Sequence, residues 1–233
     1  MNATNGTDSL KMPPETVVLL FAGRPLPRPL RGLPTVQVDE DAGGTDALNA
    51  LDAAIDRYRR LVVVGADADL ARILTRLMRT DRLDVEVGYA PRRRTPATGA
   101  YRLPAGWRAA RRARRGVAHP VPLVRDDAGT ALVGVGRWLP VDGAAVLHGE
   151  GIVDDATLFD GDVAAVLIEP TATAPGVRAG VPDRRGRVRR WVTGRAAQLG
   201  TTGALVVRDG SYGSRTVKRS TFYRHIEDWL LVR

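Results

Sequence analysis

The sequence contains no cysteine, only two lysines and no long apolar run. Without cysteine, the 233-residue chain can form neither a disulfide bond nor a thiolate metal site, and it has no cysteine nucleophile. No segment approaches the roughly 18 consecutive apolar residues that cross a bilayer. No targeting segment is evident either, so we expect a cytoplasmic protein. Hydrophobic residues make up 44% of the chain, which favours one large or two small folded domains.

Arginine dominates the charge of the chain. Lysine and arginine together number 35 against 26 acidic residues, which gives a net charge of +9, and Lys11 and Lys218 are the only lysines. Such an excess favours an anionic partner, which could be nucleic acid, phosphate or a membrane surface. A GC-rich coding background produces the same arginine-rich composition. Net charge alone therefore does not choose between function and composition.

The first half of the chain has the pattern of an open α/β sheet. Residues 1–15 are polar and predict a loose leader, and residues 16–115 follow as an α/β domain. Within that domain the unbroken apolar run at residues 61–64 predicts a strand buried on both faces. Apolar residues at helical spacing over residues 70–78 predict an amphipathic helix, and residues 83–87 predict the next strand.

The second half is predicted to be rich in strands. From residue 116 to residue 233, short apolar runs alternate with Gly, Asp and Pro, a composition typical of a sandwich-like β domain. Residues 171–187 are rich in Pro, Gly and Arg and predict a long loop. The last segment is expected to return to the core as a strand, with Phe222 and Trp229 buried. The expected fold class is an α/β open sheet followed by a mostly β domain.

The turn after the strand at residues 61–64 is the most informative local feature. It consists of small and acidic residues, in the order Gly65, Ala66, Asp67, Ala68 and Asp69. Backbone N–H groups in such a turn, together with the positive end of the following helix, can bind an anion. The alternative is that Asp67 or Asp69 caps the helix, while Gly65 relieves steric strain in the turn. Two aspartates in the first helical turn would repel a phosphate, which favours the alternative.

Two short segments carry a resemblance to a known superfamily. The turn resembles the Gly-Gly-Asp-Gly-Thr signature of the diacylglycerol kinase and NAD kinase superfamily, with Gly65 and Asp67 matching. Residues 206–213 resemble the strand and Asp-Gly-Glu segment of the same superfamily, with Asp209 matching. The resemblance implies an α/β nucleotide domain followed by a β domain. It also implies ATP phosphates at Gly65 to Asp69 and contact of Asp209 with a metal or a hydroxyl substrate.

The sequence departs from this superfamily at several positions that matter for chemistry. Ala66, Ala68 and Asp69 replace Gly, Gly and Thr, and Ser211 replaces the glutamate expected to act as base. The second glycine-rich motif, Pro-x-Gly-Thr-x-Asn, is missing from residues 89–96. Phosphoryl transfer needs a phosphate cradle, a metal ligand and an activated hydroxyl together. We therefore expect a degenerate member, a pseudokinase or a binding or regulatory protein.

If the kinase-like site is functional, the resemblance implies ATP and Mg²⁺ as cofactors and an ATP-dependent lipid kinase activity. Nucleotide or lipid would then be the partner. If the site is not functional, the sequence identifies no cofactor. The three histidines, His119, His148 and His225, lie far apart in sequence, so no metal site is predicted from them. The sequence does not indicate the oligomeric state.

Two groups of arginines are candidate anion-binding residues. One follows the strand predicted at residues 83–87, and the other recurs at helical spacing. The members are Arg92, Arg93, Arg94, Arg108, Arg111, Arg112 and Arg115. Such groups could bind nucleic acid phosphates or the headgroups of an anionic membrane surface without catalysis. The alternative is a solvated helix surface in an arginine-rich chain.

Overall fold

The computed structural model describes residues 16–21, 23–38, 45–141 and 143–233. The leader predicted at residues 1–15 lies outside the described residues. Within the described part of the chain, none of the helices has the length and apolar character needed to span a membrane.

The first half forms a parallel sheet in the order β2-β1-β3-β4. Its strands are β1 (Thr16–Phe21), β2 (Thr35–Val38), β3 (Arg60–Val64) and β4 (Glu86–Tyr89). Its helices are α1 (Thr45–Arg57), α2 (Asp67–Arg79), α3 (Pro96–Ala100) and α4 (Gly106–Arg115), with a short 3-10 helix at Arg28–Leu30. This arrangement confirms the predicted α/β class.

Helices cover both faces of this parallel sheet. On one face α1 and α2 pack through Leu51 and Leu74 against residues such as Val63. On the other face α4 packs through small side chains against Val62 and Val64. Because alternate residues of β3 enter different cores, both sets of its side chains are buried. That double burial explains the unbroken apolar run in the sequence.

The second half is built from eleven strands within the described residues. They are β5 (Ala118–Asp126), β6 (Ala131–Leu132), β7 (Gly136–Leu139), β8 (Leu147–Val153), β9 (Ala156–Val163), β10 (Val166–Pro170), β11 (Val177–Gly180), β12 (Val192–Gly194), β13 (Ala196–Arg208), β14 (Ser211–Tyr212) and β15 (Val217–Val232). They enclose a second core around Trp138, Phe159 and Phe222. A β-rich second half is thus confirmed.

The last strand joins the two halves. β15 pairs antiparallel with β13 and β5, and its end pairs parallel with β4 at Leu230 and Leu231. Phe222 is buried in the second core, whereas Trp229 is buried in the first. One continuous sheet therefore runs through both halves of the molecule.

Two local predictions need correction. The long loop predicted at residues 171–187 is interrupted by β11, which pairs with β10. Val177 and Ala179 are buried there while Arg178 points outward, an alternation typical of a strand that a composition count overlooks. The strand predicted at residues 83–87 begins only at Glu86, because the preceding residues form a turn.

Candidate functional site

The turn between β3 and α2 is closed by the side chain of Asp69. The backbone N–H of Ala66 donates a hydrogen bond to Asp69 Oδ2 at 2.6 Å, and Asp69 is 4% exposed. A Cβ at Gly65 would lie 2.7 Å from the Cβ of Asp69, so only glycine leaves room for this side chain. The carboxylate also lies at the positive end of α2, where negative charge is stabilised. The turn has the folded-back conformation of the capping alternative.

Asp67 is buried between the β3–α2 turn and the segment after β4. Its Oδ1 accepts a hydrogen bond from the Tyr89 hydroxyl at 2.7 Å, and its Oδ2 accepts one from the Ala97 N–H at 3.0 Å. Burial, followed by the charge of Asp67, raises the pKa of Tyr89. The phenol therefore stays protonated and remains a donor to the carboxylate.

The segment after β4 begins the short helix α3. Thr95 caps this helix: its hydroxyl oxygen accepts the Thr98 N–H at 3.3 Å, while the Thr98 hydroxyl oxygen accepts the Thr95 N–H at 2.9 Å. Pro96 occupies the first helical turn. Threonine before proline at a helix start is a recognisable signal, so the sequence did contain evidence for this element.

Asp209 lies in the turn between β13 and β14, where its backbone has a φ of 47°. Its carboxylate accepts three backbone hydrogen bonds, from Val133 at 3.0 Å, Gly134 at 2.7 Å and Val135 at 3.0 Å. Burial raises the pKa of Asp209 to about 6, the three donors oppose this rise, and the charge of Asp67 adds to it.

The carboxylates of Asp67 and Asp209 meet at Gly134. A Cβ at Gly134 would lie 2.8 Å from Asp67 Oδ2 and 2.8 Å from Asp209 Oδ1. The fold therefore brings together one acidic residue from each of the two segments that carry the resemblance. Gly134 itself lies in a stretch without any recognisable motif, and sequence reasoning missed it.

A cleft of about 320 Å³ lies beside this carboxylate pair. Its lining includes both aspartates, Ala66, Thr95 and Arg137. Arg137 is exposed and makes no ion pair or side-chain hydrogen bond within the described ranges. A lone arginine on a short strand gives no sequence signal, so Arg137 was also missed. Of the predicted phosphate-binding residues, Ala68 faces away and lines a different cavity, of about 520 Å³.

The residues of this cleft fit a magnesium nucleotide poorly. Both oxygens of Asp67 accept internal hydrogen bonds, and Asp209 accepts three, so few acceptor positions remain for a cation. Among the residues that the structure describes, no group of three or more His, Cys, Asp or Glu side chains could hold a metal ion. The N–H groups of Ala66 and Ala97, which could face phosphate, donate to carboxylates instead.

The arginines of α4 form a separate surface. The helix buries Ala109, Ala110 and Ala113 against the sheet and leaves its other face to solvent. That face lines a groove of about 1020 Å³. None of the described residues that line the groove is acidic, and its basic residues are Arg94, Arg102, Arg108, Arg111, Arg112, Arg115, His119 and Arg233. We call this surface the arginine groove.

The predicted anion-binding residues divide between this groove and its neighbourhood. Arg94 joins the four predicted arginines of α4 in the groove, whereas Arg92 lines an adjacent cavity. Arg93 is exposed and is part of neither lining. Arg114, which was not predicted, has a structural role because its guanidinium donates to the Pro29 carbonyl at 2.7 Å.

Solved structures with the same architecture include two kinds of kinase. A diacylglycerol kinase from Bacillus anthracis matches with a TM-score of 0.68 at 10% identity, covering 95% of this chain and 97% of that one. An NAD kinase from Archaeoglobus fulgidus in complex with ATP matches with a TM-score of 0.59 at 12% identity, covering 94% and 93%. Yeast NADH kinase complexed with NADH matches with a TM-score of 0.56 at 7% identity, covering 95% and 84%.

No family model and no curated protein matches the sequence. The structural likeness nevertheless confirms the fold implied by the two short segments. At identities of 7–12% this likeness establishes the fold alone. The binding role of Gly65 to Asp69 and the catalytic role of Asp209 remain predictions.

Proposed function

Starting from a fold shared with diacylglycerol kinase and NAD kinase structures, we propose that this chain is a cytoplasmic pseudokinase that binds an anionic partner through the arginine groove. The observation that carries the first part is the hydrogen bond from the Ala66 N–H to Asp69. The chain's own carboxylate takes the donor that a nucleotide phosphate would need.

Two further carboxylates, at positions that match the kinase signatures, accept backbone N–H groups around the cleft. Asp67 accepts the N–H of Ala97, and Asp209 accepts three consecutive N–H groups beginning at Val133. A triphosphate entering the cleft would have to displace these anions while being repelled by their charge. Arg137 is the one cationic side chain among the described residues that line the cleft, and it does not offset both carboxylates.

The binding part of the proposal rests on the arginine groove. Arg108, Arg112 and Arg115 form no ion pair and no side-chain hydrogen bond with any described residue. Unpaired guanidinium groups on one concave surface create a positive potential that attracts a multivalent anion. Binding by such groups weakens steeply as salt is added.

A transfer assay and a polyanion-binding assay test the two parts separately. With γ-labelled ATP and Mg²⁺, and glycerol or diacylglycerol as acceptor, we expect no more label transfer than in a double variant, Asp67→Asn with Asp209→Asn. Transfer above that background overturns the pseudokinase assignment. Inorganic polyphosphate should bind at low salt and bind more weakly after Arg108→Ala, Arg112→Ala and Arg115→Ala are combined. Absence of binding at low salt overturns the anion-binding assignment.

A second candidate function is weak ATP-dependent phosphoryl transfer to an alcohol. The observation that favours it is the pKa of Asp209, which burial raises to about 6. A carboxylate with a pKa near neutrality can act as a general base for a hydroxyl group. In that case transfer would be lost in Asp209→Asn and would rise in the wild type as the pH increases through about 6.

A further inference from the structure

A small apolar cavity lies at the carboxyl ends of β1, β3 and β4, close to the arginine groove. Its volume is about 310 Å³. Its apolar lining includes Pro25, Leu26, Val64, Ala90, Pro91 and Trp107. Ligands of open α/β sheets bind at the carboxyl ends of the strands, and concave apolar sites with a few polar groups are typical of ligand sites.

Arg24 supplies the unexplained polar group of this cavity. Its Nε is buried and has no hydrogen-bond partner among the residues that the structure describes. Buried donors in folded proteins are normally paired, because an unpaired one loses its hydration without compensation. An acceptor on a ligand in the cavity would satisfy this N–H group.

Trp107 connects the cavity with the arginine groove, because it lines both. Its side chain is a large hydrophobic group that remains 59% exposed. The guanidinium of Arg111 lies 5.9 Å from the centroid of its ring. Proteins that bind single-stranded nucleic acid combine an exposed aromatic ring with a cationic groove. Bases stack on the ring, and the cations hold the phosphates.

The same helix is poorly suited to insertion into a membrane surface. A membrane-bound amphipathic helix buries a continuous apolar face among lipids. In α4 the apolar face, with Ala109 and Ala113, is already packed against the sheet. The exposed large hydrophobic side chains along the groove are those of Trp107 and Val117. A concave groove also follows a flexible strand more closely than it follows a flat bilayer.

We propose that the arginine groove binds single-stranded nucleic acid and that the cavity beside Trp107 receives one of its bases. Arg108, Arg112 and Arg115 hold phosphates, Trp107 stacks on a base, and Arg24 Nε donates to an acceptor on the inserted base. The proposal rests on the proposed function, since it names the anion that the groove binds. It adds a requirement for bases, which a general polyanion does not have.

The test compares ligands that differ only in whether they carry bases. The probes are fluorescent oligomers of thymidine and of uridine, about 12 nucleotides long, within the range of site sizes for such grooves. A backbone of equal length without bases, inorganic polyphosphate, and vesicles of phosphatidylcholine with and without phosphatidylglycerol are measured beside them. We expect the oligomers to bind about ten-fold more tightly than the baseless backbone, and to quench tryptophan fluorescence. The thymidine and uridine arms distinguish DNA from RNA.

Substitutions test which residues contact the bases. Trp107→Ala should weaken oligomer binding about ten-fold, a larger loss than for polyphosphate, which has no base to stack on the ring. Arg24→Met should reduce the preference for the oligomer over the baseless backbone. Trp191→Ala is the matched control, because Trp191 stacks on Arg178 and lines neither the groove nor the cavity. If Trp107→Ala does not fold, the affinities of the wild type for the oligomer and for the baseless backbone still show whether bases contribute to binding.

The outcomes separate this inference from the proposed function. Equal affinity for oligomer and baseless backbone overturns base insertion while leaving the groove as a general polyanion site. Failure of every polyanion to bind at low salt overturns both. Binding to phosphatidylglycerol vesicles with no binding of the oligomers overturns the inference in favour of a membrane surface.

Discussion

The carboxylates of Asp67 and Asp209 both approach Gly134 closely. Each has an oxygen 2.8 Å from the position that a side chain there would occupy. Asp67 begins a helix of the first half, whereas Asp209 follows a long strand of the second half. The contact region of the two halves is thus also the place where two negative charges lie close together.

Asp209 should make the free energy of unfolding depend on pH. Its pKa is raised from 3.8 to about 6, so the folded protein holds this proton more tightly than the unfolded chain does. The resulting stabilisation is fully present below pH 4 and is lost as the pH rises through about 6. The change is at most about 3 kcal/mol.

Urea denaturation between pH 4 and pH 8 checks this expectation. Asp209→Asn loses one backbone hydrogen bond, which lowers the free energy of unfolding at every pH. The additional decrease that the wild type shows between pH 4 and pH 6 should be absent from the variant. Wild type and variant curves that run parallel throughout this range would contradict the raised pKa.

The charge of Asp67 should affect the pKa of Asp209. Because this charge contributes to the raised pKa of Asp209, Asp67→Asn should lower that pKa. The carboxyl carbon of Asp209, followed by NMR during a pH titration, reports the shift directly. An unchanged or higher pKa in the variant would mean that the two carboxylates do not interact.

Gly134→Ala should destabilise the protein by about 1–3 kcal/mol, because the new methyl group collides with both carboxylates. Gly200→Ala is the matched control, since a Cβ there would have no atom of a described residue within 4 Å apart from those of Gly200 and its chain neighbours. Denaturation midpoints at one pH give both values. If the two substitutions lower stability by the same amount, the two carboxylates do not lie close to Gly134.

Asp69→Ala should cost about 1 kcal/mol through loss of the helix cap, and should also release the Ala66 N–H. Inorganic phosphate should then raise the melting temperature of the variant more than that of the wild type. Asp56→Ala, which removes an exposed carboxylate from α1, serves as the control for net charge. Equal phosphate effects in all three proteins would show that Asp69 does not close the turn.

The sequence predicted those parts of the fold that depend on local pattern. The apolar run at residues 61–64 and the helical stripe of residues 70–78 identified β3 and α2, and therefore the turn with Asp67. Helical spacing also predicted that Arg108 and Arg115 lie on one face of a helix. Short-range periodicity carries this information because each element follows from its own residues.

The remaining features depend on contacts between residues far apart in the chain. Gly134 is explained only once Asp67 and Asp209 are known to approach it. That approach accompanies the pairing of β13 with β7, where Arg208 lies opposite Gly136, and the hydrogen bond from the Ala131 N–H to Thr75 of α2. Arg137 and the unpaired Nε of Arg24 are likewise invisible in local sequence. The choice between an anion site and a capped helix at residues 65–69 needed the rotamer of Asp69, which no spacing rule provides.

In the proposed pseudokinase, the chain's own carboxylates take the place of the nucleotide phosphates. A thermal melt of the wild type and of Asp67→Ala, each titrated with ATP in the presence of Mg²⁺, decides whether they do. A ligand present at 100 times its Kd would stabilise the folded state by about 2.7 kcal/mol. We expect no saturable rise in melting temperature that depends on Asp67, even at millimolar ATP, whereas a saturable rise that Asp67→Ala abolishes would show that the nucleotide binds in the cleft.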